Sequence, residues 1–343
     1  MWLLGAGASR AAGIKTADDM IWEFKRKLYC SERKQPLSSI SDLGDAGVRR
    51  KLQAHFDATR TFPADGNEEE YTAYFEITYL LARDRRAYID AEVKIGTPSC
   101  GRFGLALLMK TGICHAAWTT NFDRTVEDAT YKVLGGSGSL AVADLGDPQK
   151  MLQAWSEGRW PVYGKLHGDY HSERLKNVAE EFRNQDAEMR GCLIDACRSK
   201  GLAIVGYSGR DASIMEALEA AFQEGKGFPG ALFWFKRFQD VPYQAVRDLI
   251  TKARGLGIDA HFVEVETFDE LFADILRFLP DTEREAATIA GEIRPRLAKG
   301  TSRTSVANTP AIRTNALPVI SFPAICRLVV CDIGGWEEIQ AAI

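Results

Sequence analysis

The sequence predicts an α/β domain built on a doubly wound, Rossmann-like parallel sheet over residues 1–280. Two observations predict it. Short apolar runs alternate with stretches of helical spacing along that span, the pattern of strands joined by crossover helices. Several of the runs turn polar or glycine-rich at their carboxyl ends, where open sheets of this kind bind ligands.

In order, "WLLGAGAS" reads as a strand entering a glycine turn. Only "MWLL" precedes the first glycine, which is short for a central strand and raises the expectation of residues upstream of Met1. Thr16 to Arg26 carries helical spacing, with Met20, Ile21 and Phe24 on one side. Residues 32–67 are polar and irregular and yield no element. Glu68 to Asp90 is predicted as one long helix, on the recurrence of Tyr71, Tyr74, Phe75, Thr78 and Tyr79. Arg102 to Thr111 follows as a helix ended near Gly112, and "ICHAAWTTNFD" is the next strand. "VYGKLHGD", "GLAIVGYSGRD", "GALFWFKR" and "AHFVEVE" supply further strands. Ser213 to Gln223, Pro242 to Arg254 and Phe268 to Leu279 supply helices, the last closing the domain. Beyond Pro280 the texture turns polar and arginine-containing, predicting a linker over 281–314. An apolar pattern resumes to open a second domain over 315–343, and "DIGGWEEIQAAI" stops as though truncated.

Composition narrows the function. The chain has 343 residues, 45% hydrophobic and 26% charged, an ordinary globular mixture. A formal net charge of −4 gives no global basic field for nucleic acid. No run is long enough to cross a bilayer and no signal peptide is evident, so a cytoplasmic location is expected. The seven cysteines are scattered, with no Cys-x-x-Cys pair, which argues against a disulfide framework or zinc ribbon.

Four strand ends carry candidate chemistry. In the opening turn, Gly5 and Gly7 let backbone approach a pyrophosphate, Ala6 and Ala8 keep the surface flat, and Ser9 offers a hydroxyl. The same composition suits a plain strand-to-helix turn. In "TTNFDRT", Thr120, Asn121 and Asp123 offer donors and acceptors for ribose hydroxyls or a water, or equally a helix cap. In "YGKLHGD", His167 can take a proton near neutral pH. The alternation of His167, Asp169 and His171 leaves a metal site as the rival there, disfavoured by the turn that Gly168 suggests. In "IVGYSGRD", Gly206, Tyr207 and Ser208 form a second flexible turn. Arg210 is suited to phosphate and Asp211 to capping the next helix.

Together "GAGAS…AGI", "TTNFD", "KLHGD" and "VGYSGRD", in that order, resemble the sirtuin-like family across about residues 1–280. The resemblance implies that Asn121 and His167 are the catalytic pair. It puts Gly5, Ala6, Gly7, Ser9, Asp123, Gly206 and Ser208 on NAD-contacting positions, with Ala8, Thr120, Tyr207 and Arg210 beside them. Protein deacylases of the family usually carry two Cys-x-x-Cys pairs that bind zinc, and a proline-aspartate-phenylalanine-arginine run where this chain has "KTAD". Their absence implies no zinc and puts deacylation in doubt, and the aromatic-bearing helix at Glu68 to Asp90 suggests a helical module in place of the zinc module. The chain therefore looks like the bacterial sirtuin-like NAD+ hydrolases, many of them immune effectors, for which NAD+ is substrate. "RTNALPVISFPA", Arg313 to Ala324, resembles the junction of such domains with an APAZ-type domain. That implies a short prokaryotic Argonaute partner carrying guide RNA and target DNA, with further assembly on activation. A deacylase or ADP-ribosyltransferase, and a non-catalytic NAD-binding sensor, remain as alternatives.

Overall fold

The computed structural model describes residues 1–279, apart from 68, 137, 168–178, 223–226 and 239, together with residue 285. The linker and second domain expected over 281–314 and 315–343 lie outside the described residues, Glu285 excepted. So do Gly168, Asp169 and His171 of the rival metal reading.

A seven-stranded, all-parallel sheet forms the centre, in the order β3-β4-β2-β1-β5-β6-β7. The strands are β1 (Trp2–Leu4), β2 (Ala116–Thr119), β3 (Ala141–Ala143), β4 (Val162–Lys165), β5 (Leu202–Val205), β6 (Leu232–Arg237) and β7 (Ala260–Val265). From β1 the chain winds outward to one side, returns at β5 beside β1, and winds to the other side. The switch point therefore lies between β1 and β5, where such sheets open a ligand crevice at their carboxyl ends. Three residues suffice for β1 because β2 and β5 flank it on both sides, and Leu3 and Leu4 are fully buried. Among the described residues no helix is long and apolar enough to cross a membrane.

The connection from β1 to β2 holds a helical module with a core of its own. It comprises α1 (Ala17–Glu32), α2 (Ala46–Thr59), α3 (Glu70–Thr78) and α4 (Ala82–Ile95), followed by α5 (Cys100–Lys110). Residues 46–59, which gave no reading in sequence, are helical. Asp45 caps their amino end, and Leu52 and Phe56 are buried on the inward face. The single helix expected over Glu68 to Asp90 is instead two. Tyr79 takes an extended conformation, and the Arg85 guanidinium donates to the carbonyls of Tyr79 and Leu80 at the break. The aromatic spacing reflects a cluster rather than one continuous helix: Phe24 stacks on Phe75 at 5.0 Å, and the rings of Tyr79 and Tyr88 meet its edges.

Lys25 lies at the bottom of this module, fully buried, 2.5 Å from Glu70 and 2.6 Å from Gln53, with its ammonium 4.2 Å from the Trp22 ring. Asp65 also lies 3.5 Å from the ammonium but is exposed, so Glu70 is the buried partner that makes the charge tolerable. Glu70→Ala is expected to cost about 3–5 kcal/mol. Removing both charges, as Lys25→Met with Glu70→Leu, should restore most of that in urea unfolding.

The other connections follow the expected alternation, with α6 (Thr125–Leu134), α7 (Gln149–Ser156), α8 (Ala179–Ser199), α9 (Ala212–Ala220), α10 (Gln244–Gly255) and α11 (Phe268–Arg277). The main core lies about the sheet and includes Trp118, Ile204, Leu218, Leu232 and Ile250.

Candidate functional site

The site is laid out by strand register. Leu4 pairs with Thr119 on one side and Val205 on the other, and Thr119 pairs with Lys165. Val205, Leu4, Thr119 and Lys165 thus form one row across four adjacent strands, spaced at about 4.8 Å. Two residues beyond that row stand Tyr207, Ala6, Asn121 and His167. Asn121 and His167 therefore leave neighbouring strands at equal offsets, and the ring of Phe122 lies 6.3 Å from that of His167.

The first and fourth turns are locked together by their backbones. Gly5 N–H donates to the Val205 carbonyl at 3.0 Å, and Gly7 N–H to the Gly206 carbonyl at 2.8 Å. A Cβ on Gly5 would sit 2.5 Å from the Gly206 carbonyl oxygen, and one on Gly7 would sit 2.9 Å from the Gly206 Cα. Gly206 has φ +68°, and a Cβ there would run into the Ala8 amide nitrogen. These glycines are accounted for by the close approach of two turns to each other, and the Gly5 and Gly7 amides are already engaged in the protein.

The element after the glycine turn is a 3₁₀ helix, Ala6–Ala12, rather than the start of a long helix. The long helix α1 begins only after Thr16, whose hydroxyl and Asp19 form a closed capping box. Its amino end, with Asp18 and Asp19 in the first turn, is thus already satisfied.

Asn121 is almost fully buried. Its backbone N–H donates to Thr119 Oγ1 at 2.9 Å, and its Nδ2 donates to the Gly5 carbonyl at 2.9 Å and to Ser9 Oγ at 2.8 Å. Since a carbonyl only accepts, the amide orientation is fixed and Oδ1 faces away from Gly5 and Ser9. Ser9 in turn donates to Asp123 Oδ2 at 2.6 Å. Asp123, expected to meet ribose hydroxyls, has both oxygens engaged inside, the second with the Thr125 N–H and hydroxyl at 3.0 and 2.5 Å. Burial opposes its ionisation, but the Arg102 charge and the hydrogen bonds from Ser9 and Thr125 hold its carboxyl below the usual range.

His167 Nε2 lies 2.6 Å from Asp211 Oδ2. His167 extends from the β4 tip and Asp211 ends the loop after β5, so the pair reaches across the ends of β2 and β1. Asp211 also caps α9, its Oδ1 accepting from the Ser213 N–H and hydroxyl at 2.9 and 2.8 Å and from the Ile214 N–H at 3.3 Å. Burial would raise its pKa. The His167 contact, helped by Ser213 and Ile214, outweighs that and holds the carboxyl far below its ordinary value. Ionised Asp211 can only accept, so His167 Nε2 donates to it, and in the neutral ring the lone pair sits on Nδ1.

The remaining candidates divide. Ser208 is exposed and Ala6 and Thr120 are partly exposed along the crevice, whereas Ala8 is buried. Tyr207 is buried, its hydroxyl donating to the Asp211 carbonyl at 3.3 Å. Burial and the Asp211 charge push its pKa far up, so it stays neutral. Arg210 is turned onto Tyr243, its Nε 2.6 Å from the phenol oxygen. The residue that sequence reading passed over is Arg102. It is the single charge among Gly101–Met109, all of them buried, and that solitary charge was the available signal. Among the described residues no group of three or more histidine, cysteine or acidic side chains could hold a metal ion.

The family model described as SIR2-like domain matches residues 115–258, from just before β2 to just before β7. That span includes Asn121, His167 and the turn from Gly206 to Asp211, and leaves out the opening turn and the helical module. The match supports a sirtuin-like fold and points to the NAD-related activity of that superfamily, whose SIR2-like domains bind NAD+. None of the curated proteins compared with the chain matches it.

Proposed function

We propose that residues 1–280 form an NAD+ glycohydrolase that cleaves the nicotinamide–ribose bond. The observation that supports this best is the register row. It sets an inward-tethered carboxamide and an imidazole–carboxylate pair on neighbouring tips beside the switch point, next to two interlocked glycine turns.

In this reading the dinucleotide lies along the crevice over the β1 and β5 turns, and its nicotinamide ribose reaches the tips of β2 and β4. Breaking the C1′–N1 bond sends the bonding electrons to the ring nitrogen, so nicotinamide leaves neutral and C1′ becomes cation-like. The Asn121 carboxamide oxygen presents the negative end of a fixed dipole to that carbon. A water adds its oxygen to C1′ and passes its proton to His167 Nδ1, while Asp211 stabilises the imidazolium that results. The products are nicotinamide, ADP-ribose and a proton. The role of immune effector, silent until a short Argonaute bound to the segment after 280 senses nucleic acid, belongs to the same proposal.

The test is release of free nicotinamide from NAD+ by the full chain, alone and co-expressed with such an Argonaute and its guide and target. Release together with ADP-ribose supports the reading. Turnover only in the presence of an acyl-lysine or acceptor protein would favour the transferase alternative, and binding without product would favour a sensor. Asp211 gives a second check. Asn caps a helix about as well as Asp, so Asp211→Asn is expected to lower the melting temperature only by the loss of the His167 contact, while kcat falls on the order of 10²–10⁴-fold. Asp211→Ala should lose the cap as well, at about 1 kcal/mol in thermal unfolding.

A further inference from the structure

We infer that Arg102 is a positioning residue, which, through Ser9, holds the Asn121 carboxamide with its oxygen toward the crevice; the inference rests on the hydrolase reading given above. Arg102 is fully buried within α5, where its neighbours are core residues. Its guanidinium stands 4.9 Å over the Phe268 ring. Gly101 makes that approach possible, since a Cβ there would meet the ring at 2.5 Å. The start of α5 is pinned to α11 by Asp269, whose Oδ1 accepts from Ser99 Oγ at 2.6 Å and from Gly101 N–H at 2.8 Å.

A guanidinium in such a place is costly, and Arg102 is only partly compensated. Nη2 donates to Ser9 Oγ at 2.8 Å, while Nε and Nη1 have no hydrogen-bond partner among the described residues. The one bond it makes falls on the node of the Asn121 network. Ser9 Oγ has one proton and two lone pairs. Its contacts are Arg102 Nη2 and Asn121 Nδ2, both donors, and Asp123 Oδ2, an acceptor. The hydroxyl is therefore saturated, with one arrangement of its proton. Asp123, the one acceptor, takes the proton, Arg102 fills one lone pair and the second is left for Asn121. The charge of Arg102 also keeps Asp123 ionised as the acceptor that completes the arrangement. Without Arg102 one Ser9 lone pair is unfilled and the charge beside Asp123 is gone, so the hydroxyl is held by two partners in place of three and the second anchor of the carboxamide loosens.

The experiment has two arms on the full chain. In selectively ¹⁵N-asparagine-labelled protein, the Asn121 side-chain amide should exchange its protons slowly, and in Arg102→Lys or Arg102→Ala that exchange should accelerate by at least about tenfold. In nicotinamide-release kinetics, the same variants should lose on the order of 10²-fold in kcat, the scale of a small misplacement at a reacting centre, with KM nearly unchanged. Millimolar guanidinium should restore part of the kcat of Arg102→Ala, and methylammonium should not. Unchanged amide exchange in a folded Arg102→Lys variant overturns the inference even if the chain hydrolyses NAD+. So does a kcat loss that guanidinium leaves untouched and that KM loss matches. Should Arg102→Ala fail to fold, Arg102→Lys and Ser9→Ala carry both arms. If the unsubstituted chain releases no nicotinamide even when co-expressed with an Argonaute and its guide and target, the hydrolase reading fails, and the amide-exchange arm still decides whether Arg102 holds Asn121.

Discussion

Alanine at His167 is expected to lower nicotinamide release by about 10²–10⁴-fold, the contribution of a positioned acid–base group, while leaving the fold intact. The imidazole is partly exposed, and its contact with Asp211 is one of four that the carboxylate makes. Asp211 keeps its three contacts with Ser213 and Ile214 when the imidazole is gone, so α9 stays capped. A thermal melt and a kinetic assay on the same preparation separate the two effects. Lost turnover with an unchanged melt is the expected result. Retained turnover would move the base elsewhere in the crevice.

The second large effect is structural. Gly206→Ala places a methyl group against the Ala8 amide and 2.8 Å from the Gly7 carbonyl carbon, in a left-handed conformation at φ +68°. Neither turn can retreat, because Gly5 and Gly7 are tied to the Val205 and Gly206 carbonyls. Strain in the left-handed region adds to overpacking, for an expected loss of about 2–5 kcal/mol. NAD+ affinity should fall with it, since the β1 and β5 turns would separate. Gly13→Ala is the control. Its φ is +85° with nothing within 4 Å of the added Cβ, so only the conformational cost of about 1–2 kcal/mol applies.

The strand ends were legible because each joins an apolar run to a polar or glycine-bearing turn, and that local signal survives into the sheet. The order of the strands was not, since nothing local says that β5 returns beside β1. Asp211 could be read as a cap from its place before a helix. Its second oxygen meets His167 only because the sheet brings together two tips with two strands between them. The glycines were visible, but the close approach of the two turns to each other was not. In sequence, a turn that approaches a phosphate looks the same as one that approaches another turn. Arg102 was read as the first residue of its helix, where a charge passes for a solvated end, whereas α5 starts at Cys100 and buries it. The break at Tyr79 was masked because the aromatic recurrence runs at helical intervals right up to it, and Tyr88 beyond the break packs on the same ring. The three-residue β3 is too short for any periodicity to register.

The most direct test is a crystal structure of the chain with ADP-ribose or a non-hydrolysable NAD+ analogue. The account predicts the dinucleotide along the β1 and β5 turns, with the ribose anomeric carbon facing Asn121 Oδ1 and His167 within reach of a water beside it. A ligand bound elsewhere, or one bound there with its anomeric carbon turned away from both side chains, would contradict it.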